Sequence, residues 1–250
     1  MTSREPADEL SLGRLRWTDL EEGDPVVVLV PVGSLEQHGP ALGLATDAVV
    51  AAHVTSRAAG VLARERRRFV VAPVVPYGAS GEHEGFPGTI SIGHDALRVL
   101  LVELGRSACL WAEGVVFVNG HGGNVPTLVS AVRQLRQEGR AVAWTGCRAA
   151  GADAHAGLTE TSLMLRLAPV TVQVDRLTAG PTEPVEQLMP ALRAQGVRAV
   201  SPSGVLGDPT GADARRGDAI LAEMVQRLVA ELAEIDVDER GRLSVPGQAP

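Results

Sequence analysis

The sequence predicts a single α/β domain in which a mostly parallel β-sheet carries helices on both faces. Its length of 250 residues suits one large domain. Apolar residues make up 45% of the chain and aromatic residues only 3%, so we expect a core of valine, leucine and alanine. Short β-branched runs alternate with longer segments of helical periodicity, and this alternation is typical of parallel strands joined by helices.

The first strand is predicted at residues 25–32, where PVVVLVPV forms the continuous apolar run of a strand buried on both faces. The same periodicity predicts four further strands, at 69–74, 114–119, 141–146 and 170–174. Helices are predicted at 46–67, 94–112, 125–138, 158–167 and 212–235. Thr46 is a candidate N-cap of the first of these helices, with Asp47 in its first turn.

The folded domain is predicted to span residues 25–237. We expect residues 1–24 to form a partly extended N-terminal segment, and residues 238–250 to form a flexible C-terminal tail. The basic run at 64–68 is expected to be the solvated end of a helix.

Charge and cysteine content limit the classes of function. A net charge of −7 argues against a nucleic-acid binder and against an anionic membrane surface as partner. Two cysteines, Cys109 and Cys147, are too few for a disulfide framework in a chain of this length. No apolar stretch reaches the roughly 18 residues of a membrane span, and no signal peptide is visible. These features predict a soluble, cytoplasmic protein.

Three potential metal ligands follow the first predicted strand. Glu36, His38 and Asp47 lie within twelve residues of one another, among glycines and a proline. Ligands of open α/β sheets bind beyond the carboxyl ends of the strands, so this position favours a site. The alternative is a polar loop in which Asp47 interacts with the N-terminus of its own helix.

A second cluster, NGHGGN at residues 119–124, directly follows the third predicted strand. A phosphate-binding loop is the obvious alternative, but the spacing G-x-x-x-x-G-K-[ST] is absent. The spacing G-x-G-x-x-G also fails, because Val125 occupies the third glycine position. A histidine among glycines indicates that the backbone approaches a ligand closely and that His121 presents its imidazole to it.

The third cluster is DAHAGLTETS, residues 153–162, where His155 precedes a turn and Glu160 begins a helix. An ordinary helix start with an acidic first turn is the alternative. Taken together, the three clusters place three of the six histidines in glycine-rich loops at one predicted sheet edge. Imidazoles and carboxylates without a thiolate suit Zn²⁺, Fe²⁺ or Mn²⁺ and indicate a catalytic metal centre.

The remaining histidines carry weaker signals. His53 and His94 are expected to be structural or surface residues. His83, in the glycine-rich stretch GASGEHEGFPGT, could line the same cleft, in a substrate-binding or supporting role.

Four segments of the sequence resemble the motifs of the creatininase family, in the order in which that family has them. They are GSLEQHGPALGLATD (33–47), GEHEGFPGTISIG (81–93), NGHGGN (119–124) and HAGLTETS (155–162). The resemblance implies an α/β amidohydrolase that commonly assembles as a homo-oligomer. It also implies two divalent metal ions per chain, Fe²⁺ and/or Zn²⁺, with Mn²⁺ as a further candidate.

The resemblance further implies a role for each metal ligand. Glu36, Asp47 and His121 resemble the ligands of one metal. His38 and Asp47 resemble those of the second, so that Asp47 bridges the two.

One position departs from the pattern of creatininase itself. Gly123 stands where that enzyme has a glutamate, so we expect Glu160 to complete the second metal site. His155 resembles the catalytic histidine near the leaving group. Substrate-binding roles are expected for the other motif residues, His83, Gly122, Gly123 and Asn124.

Longer segments, among them GVLGDPTGADARRGD at 204–218, resemble a peptidase branch of this family. Members of that branch are implied to remove a C-terminal Val-Tyr dipeptide from a modified precursor peptide, which would be the substrate here. One alternative is an amidohydrolase acting on creatinine or on a formamide attached to a pyrimidine. Another is a glycine-rich nucleotide-binding module without catalysis.

Overall fold

The computed structural model describes residues 10–63 and 68–244. Within them, four strands form the central sheet: β1 (Val26–Val32), β2 (Arg68–Val71), β3 (Gly114–Asn119) and β4 (Val142–Gly146). The order across the sheet is β2-β1-β3-β4, and every neighbouring pair is parallel. The predicted parallel sheet is therefore confirmed.

Eight α-helices accompany the strands in the described residues. They are α1 (Trp17–Glu21), α2 (Thr46–Leu62), α3 (Gly93–Ala108), α4 (Val125–Gln137), α5 (Leu158–Leu167), α6 (Val185–Gln195), α7 (Val197–Val200) and α8 (Ala214–Glu234).

The apolar core lies on both faces of the sheet. All seven residues of β1 are buried, and they alternate between two apolar clusters. Val27 and Leu29 pack with side chains of α2, α5 and α8 on one face. Val28 and Val30 pack with side chains of α3 and α4 on the other. This alternation explains why β1 has no polar face, and it confirms the predicted helices on both sides.

Several predicted boundaries differ from the structure. β2 ends at Val71 rather than at residue 74, because Pro73 lacks the N–H that a regular ladder needs. α3 ends at Ala108, before the predicted residue 112. Ala45 is the N-cap of α2, while the Thr46 hydroxyl donates to the Gly43 carbonyl. The predicted continuation of this helix over 64–67 lies outside the described residues.

The strand predicted at 170–174 is wrong. Two short 3-10 turns, Pro169–Thr171 and Val174–Arg176, occupy this stretch, and Val170 is 96% exposed. Val170 and Val174 face solvent and Val172 packs only partly against the core, so β-branched composition alone misled the prediction. Helices α1, α6 and α7 were not predicted, and α6 contains Pro190, which reads as a helix breaker in a sequence.

The C-terminal region is more ordered than a flexible tail up to residue 244. Asp236–Val237 and Leu243–Ser244 form an antiparallel pair, β5 and β6, and Leu243 is buried in the core. Trp144 of β4 anchors the intervening turn, because its backbone N–H donates to the Gly241 carbonyl and its indole N–H to the Arg240 carbonyl. Residues 245–250 lie outside the described part of the chain.

None of the helices in the described ranges combines the length and the apolar character that crossing a bilayer requires.

Candidate metal centre

The site lies at the carboxyl edge of the sheet, in the loops that follow β1, β3 and β4. Parallel strands bring these three loops to one edge, although they are far apart in the sequence. The structure brings together all six residues predicted to bind metal or to act in catalysis: Glu36, His38, Asp47, His121, His155 and Glu160. Five of them are buried, and Glu160 is half-buried.

The first triad consists of Glu36, Asp47 and His121. His121 Nδ1 lies 3.2 Å from Glu36 Oε1 and 3.5 Å from Asp47 Oδ2. The three ligand atoms lie within 4.8 Å of one another, as close as the ligands of one metal ion lie.

The second triad consists of His38, Asp47 and Glu160. His38 Nε2 lies 3.2 Å from Asp47 Oδ1 and 3.7 Å from Glu160 Oε2. Asp47 thus directs one carboxylate oxygen to each triad. The arrangement offers two adjacent cation positions that share Asp47.

Unpartnered oxygens show that the triads fit divalent cations. Both carboxylate oxygens of Glu36 and Oδ2 of Asp47 are buried and accept no hydrogen bond from the described residues. Burying a carboxylate without a partner is costly, and a divalent cation between the carboxylates removes that cost. The nitrogen and oxygen donors, without thiolate, suit Zn²⁺, Fe²⁺ or Mn²⁺.

Both imidazoles of the triads are oriented by protein groups on their far side. His38 Nδ1 lies 3.1 Å from the Glu36 carbonyl and donates to it, which leaves Nε2 to face the carboxylates. His121 Nε2 lies 3.2 Å from the Ala79 carbonyl and 3.3 Å from Glu82 Oε1. Histidines that bind metals are held in this way in many proteins.

Without a bound cation, the imidazoles carry the compensating charge. Burial disfavours a charged imidazole, but Asp47 and Glu160 outweigh burial at His38 and raise its pKa to about 10. Glu36 likewise outweighs burial at His121, whose pKa is well above its usual value. At Glu36 itself, the neighbouring imidazoles outweigh burial and hold the pKa well below the usual range. Burial and Glu36 raise the pKa of Asp47 to about 6.

His155 lies beside the triads. Its Nδ1 is 3.8 Å from Glu36 Oε1 and 4.0 Å from Glu160 Oε2, while its Nε2 donates to the Gln37 carbonyl over 2.8 Å. Burial and the neighbouring His38 lower the pKa of His155, so the ring is neutral. Its Nδ1 therefore presents a lone pair to the centre. One ring nitrogen of His155 also lies within 4.8 Å of ligand atoms of Glu36 and His38, so the geometry permits His155 as a metal ligand.

The other residues expected to contact substrate have different surroundings. An open cleft of about 1230 Å³ lies over the triads, and its lining includes His83, Gly122 and Gly123. Both ring nitrogens of His83 face protein groups, Glu36 Oε1 at 3.3 Å and the Gln37 amide nitrogen at 2.9 Å. Burial lowers the pKa of His83 to about 3, so its ring is neutral.

Asn124 does not line the cleft, contrary to the prediction. It is buried, and its amide connects three segments of the chain. Oδ1 accepts from the Ala79 N–H, while Nδ2 donates to the Gly33 carbonyl and to Asn119 Oδ1. Asn124 therefore connects the loops around the site.

Gly123 is required by its surroundings. A Cβ at this position would lie 2.4 Å from His121 Nε2, 2.5 Å from Glu82 Oε1 and 2.6 Å from the Ala79 carbonyl oxygen. A glutamate at this position cannot be accommodated without moving these groups. Glu160 places a carboxylate oxygen 3.7 Å from His38 Nε2, and the Ala156 N–H holds this Oε2 at 2.6 Å.

Sequence reasoning missed two residues of the site, Glu82 and Gln37. Glu82 lies beside His121, and the amide of Gln37 lies between His83 and His155. Both belong to motifs singled out in the sequence, but only their histidine and acidic neighbours were considered. A polar residue adjacent to a predicted ligand is the one signal that points to them.

The fold and the paired triads define a metal-dependent hydrolase of the amidohydrolase class. The chain belongs to the creatininase family: the family model described as creatinine amidohydrolase matches residues 13–232. The resemblance indicated by the four sequence motifs is thus confirmed.

Two curated relatives and two solved structures illustrate the range of the family. The mycofactocin precursor peptide peptidase of Mycobacterium ulcerans (strain Agy99) is 55% identical over 210 residues, 82% of this chain and 84% of the relative. The creatinine amidohydrolase of Pseudomonas putida is 31% identical over an alignment of 262 residues, covering 89% of this chain and 96% of the relative. Structures titled as a manganese creatininase and as a mutant creatininase of the Zn–Zn type each superpose with a TM-score of 0.72 at 27% identity. Each superposition covers 90% of this chain and 98% of the other.

Proposed function

We propose that this chain is a two-metal peptidase that removes the C-terminal Val-Tyr dipeptide from the modified mycofactocin precursor peptide by hydrolysing an amide bond. The observation that carries the chemistry is the pair of triads that share Asp47 beneath an open cleft. The 55% identity to a relative named for this activity supports the choice of substrate. A cleft of about 1230 Å³ has room for a peptide chain.

Two divalent ions are proposed to occupy the triads. Glu36, Asp47 and His121 would hold one ion, and His38, Asp47 and Glu160 the other. Fe²⁺ and/or Zn²⁺ are the proposed native ions, with Mn²⁺ as a further candidate, in keeping with the mixed nitrogen and oxygen donors. Ions held by these residues would polarise a carbonyl oxygen and lower the pKa of a water molecule.

His155 is proposed to move the proton. Its neutral Nδ1 faces the centre, so it accepts a proton from the attacking water and then donates it to the departing amine. Gly122 and Gly123 line the cleft without side chains, which lets the peptide backbone lie close to them. His83 is proposed to support Glu36, because its Nε2 lies 3.3 Å from Oε1 of that carboxylate.

The experiment that tests this function is incubation of the metal-loaded protein with the modified precursor peptide, read by mass spectrometry. We expect release of a C-terminal dipeptide. An intact peptide in the presence of two bound metals per chain would refute the substrate. Parallel incubations with creatinine and with a formylaminopyrimidine test the alternative, to which the similarity to creatinine amidohydrolase lends support.

His155→Ala is the matching catalytic variant. We expect it to keep both metals and to lose roughly 10²–10⁴-fold in rate, because the proton carrier is absent. Metal content by mass spectrometry and the rate of dipeptide release are measured on the same sample. A loss of metal would instead identify His155 as a ligand, and normal turnover would remove it from the mechanism.

The chain is further proposed to act in the cytoplasm as a homo-oligomer. Both cysteines are free, in keeping with a reducing compartment. Large apolar side chains, among them Trp17, Leu110 and Trp111, are exposed and suit a contact with another copy of the chain. Light scattering coupled to gel filtration measures the assembly.

A further inference from the structure

We propose that Gln37 is a positioning residue that selects the tautomers of the two histidines beside the triads, His83 and His155. Its side chain would hold His83 with the proton on Nε2, and its backbone carbonyl would hold His155 with the lone pair on Nδ1. The expected effect on the reaction rate rests on the proposed function, whereas the assignment of the two tautomers does not.

The orientation of the Gln37 amide is set by a donor of known identity. The Gly39 backbone N–H lies 2.9 Å from Gln37 Oε1 and donates to it. The oxygen of the amide is thereby assigned, so the opposite atom is the NH₂ group. Gln37 is buried, and this NH₂ group points between His83 and the Gly204 carbonyl.

The two hydrogens of that NH₂ group have two acceptors. One is the Gly204 carbonyl oxygen at 3.1 Å, and the other is His83 Nδ1 at 2.9 Å. A ring nitrogen that accepts a hydrogen bond carries no proton, so the proton of neutral His83 lies on Nε2. That atom lies 3.3 Å from Glu36 Oε1, so the proton faces this carboxylate.

His155 is held by the same residue through the main chain. Its Nε2 lies 2.8 Å from the Gln37 carbonyl oxygen, which can only accept. The proton of His155 therefore lies on Nε2. The 3.1 Å contact between this atom and the Gln37 amide nitrogen joins two donors and is not a hydrogen bond. The lone pair on Nδ1 consequently faces Glu36 and Glu160.

Gly204 packs directly against the Gln37 amide and leaves no room for a side chain. Its φ of +84° lies in the left-handed region, and a Cβ there would lie 1.8 Å from Gln37 Oε1. Gly204 does not line the cleft, so a substitution at this position acts on the amide without touching the substrate.

Gln37 contacts His83 through its side chain and His155 through its backbone carbonyl, so the two contacts can be tested separately. Gln37→Met preserves the length of the side chain and removes its donor, but leaves the backbone carbonyl in place. We expect His83 to gain a population protonated on Nδ1, whereas His155 keeps its proton on Nε2. Long-range ¹H–¹⁵N correlation spectra of zinc-loaded, histidine-labelled protein distinguish the two tautomers of each ring.

Kinetics give the second measurement. We expect kcat for the precursor peptide to fall by about 10–100-fold in Gln37→Met with an unchanged metal content, as when a group that orients an active-site ring is removed. KM should stay within about twofold, because Gln37 does not line the cleft. The matched control, Gln137→Met on an exposed position of α4, should leave both the spectrum and kcat unchanged.

Three results would overturn the proposal. One is a wild-type spectrum in which His83 carries its proton on Nδ1, and this measurement needs no variant. Another is a Gln37→Met protein with an unchanged His83 spectrum. The third is an unchanged kcat in that variant. Gly204→Ala, which forces the amide aside, should reproduce the change at His83 if Gln37→Met fails to fold. Failure to cleave the precursor peptide refutes the proposed substrate and leaves the spectra to decide on Gln37.

Discussion

The two triads share Asp47 but differ in how the protein encloses them. In the first triad every member is at most 5% exposed. In the second, the side chain of Glu160 is 23% exposed and enters from the first turn of α5. Asp47 and His121 of the first triad also line the cleft, but Glu160 has the most exposed side chain of either triad and opens the second triad further to solvent. We therefore expect the ion of the second triad to exchange faster and to lie nearer the substrate.

Replacing Asp47, which the two triads share, is expected to have the largest effect on metal binding and activity. Asp47→Ala should lose both ions and all measurable activity, because each triad is left with two ligands. Metal content by mass spectrometry checks this. Retention of two ions per chain would mean that Asp47 does not bridge, and the comparison between the triads would lose its basis.

Replacing only Glu160, the most exposed candidate ligand, should abolish metal binding at the second triad and leave the first triad occupied. Glu160→Gln is expected to retain one ion per chain, held by Glu36, Asp47 and His121. Adding Gly123→Glu should not restore the second ion, because its Cβ would clash with His121 and Glu82. Titration calorimetry of the metal-free variants counts the sites. Recovery of two ions in the double variant would show that the loop rearranges freely.

Binding of the ions should depend steeply on pH. In the metal-free protein the pKa of His38 is about 10 and that of His121 is also raised, so both are protonated at neutral pH. An ion binds the neutral ring, so loading releases about two protons and its affinity falls as the pH is lowered. Calorimetry in buffers of different ionisation enthalpy measures the number released. No release would mean that both rings are neutral before the ion binds.

Replacing Glu82, which lies outside the triads, is expected to have the smallest effect on metal binding. Glu82→Gln should weaken the ion of the first triad by roughly tenfold, because the carboxylate that faces His121 Nε2 loses its charge. The ion of the second triad should be unaffected. Glu84→Gln, on an exposed neighbouring carboxylate, is the control. Equal weakening of both ions would contradict an effect through His121.

The sequence was enough to predict that the site lies at the carboxyl edge of the sheet. It was not enough to predict which residues contact and support the candidate ligands. Buried parallel strands have a clear apolar signature, and their carboxyl ends must meet, so the amino-acid order alone was enough to place Glu36, His121 and His155 together. The loop between β2 and α3 has no periodicity, so nothing located Glu82 beside His121. Asn124 was misread because a polar residue in a glycine-rich motif looks the same whether it faces a ligand or joins loops.

Outside the site, the two stretches whose structure was predicted wrongly share a cause. The valines at 170–174 carry the composition of a strand, but no neighbouring strand in the described residues pairs with them. Residues 238–244 were predicted to belong to a flexible tail, because the pairing of Leu243–Ser244 with Asp236–Val237 and the contacts with Trp144 are not visible in local composition. Local composition could not distinguish these cases, because in both the outcome was decided by what lies across the fold.

The close approach of Gly123 to Glu82 also has an evolutionary consequence. A mutation from glycine to glutamate at this position is incompatible with the present neighbours, and a later loss of Glu160 could not be compensated by it. The two ways of supplying the last carboxylate are therefore separated by epistasis. A lineage could move from one to the other only after the backbone at Ala79 and the ring of His121 had shifted, because both lie too close to a Cβ at position 123 even if Glu82 is replaced.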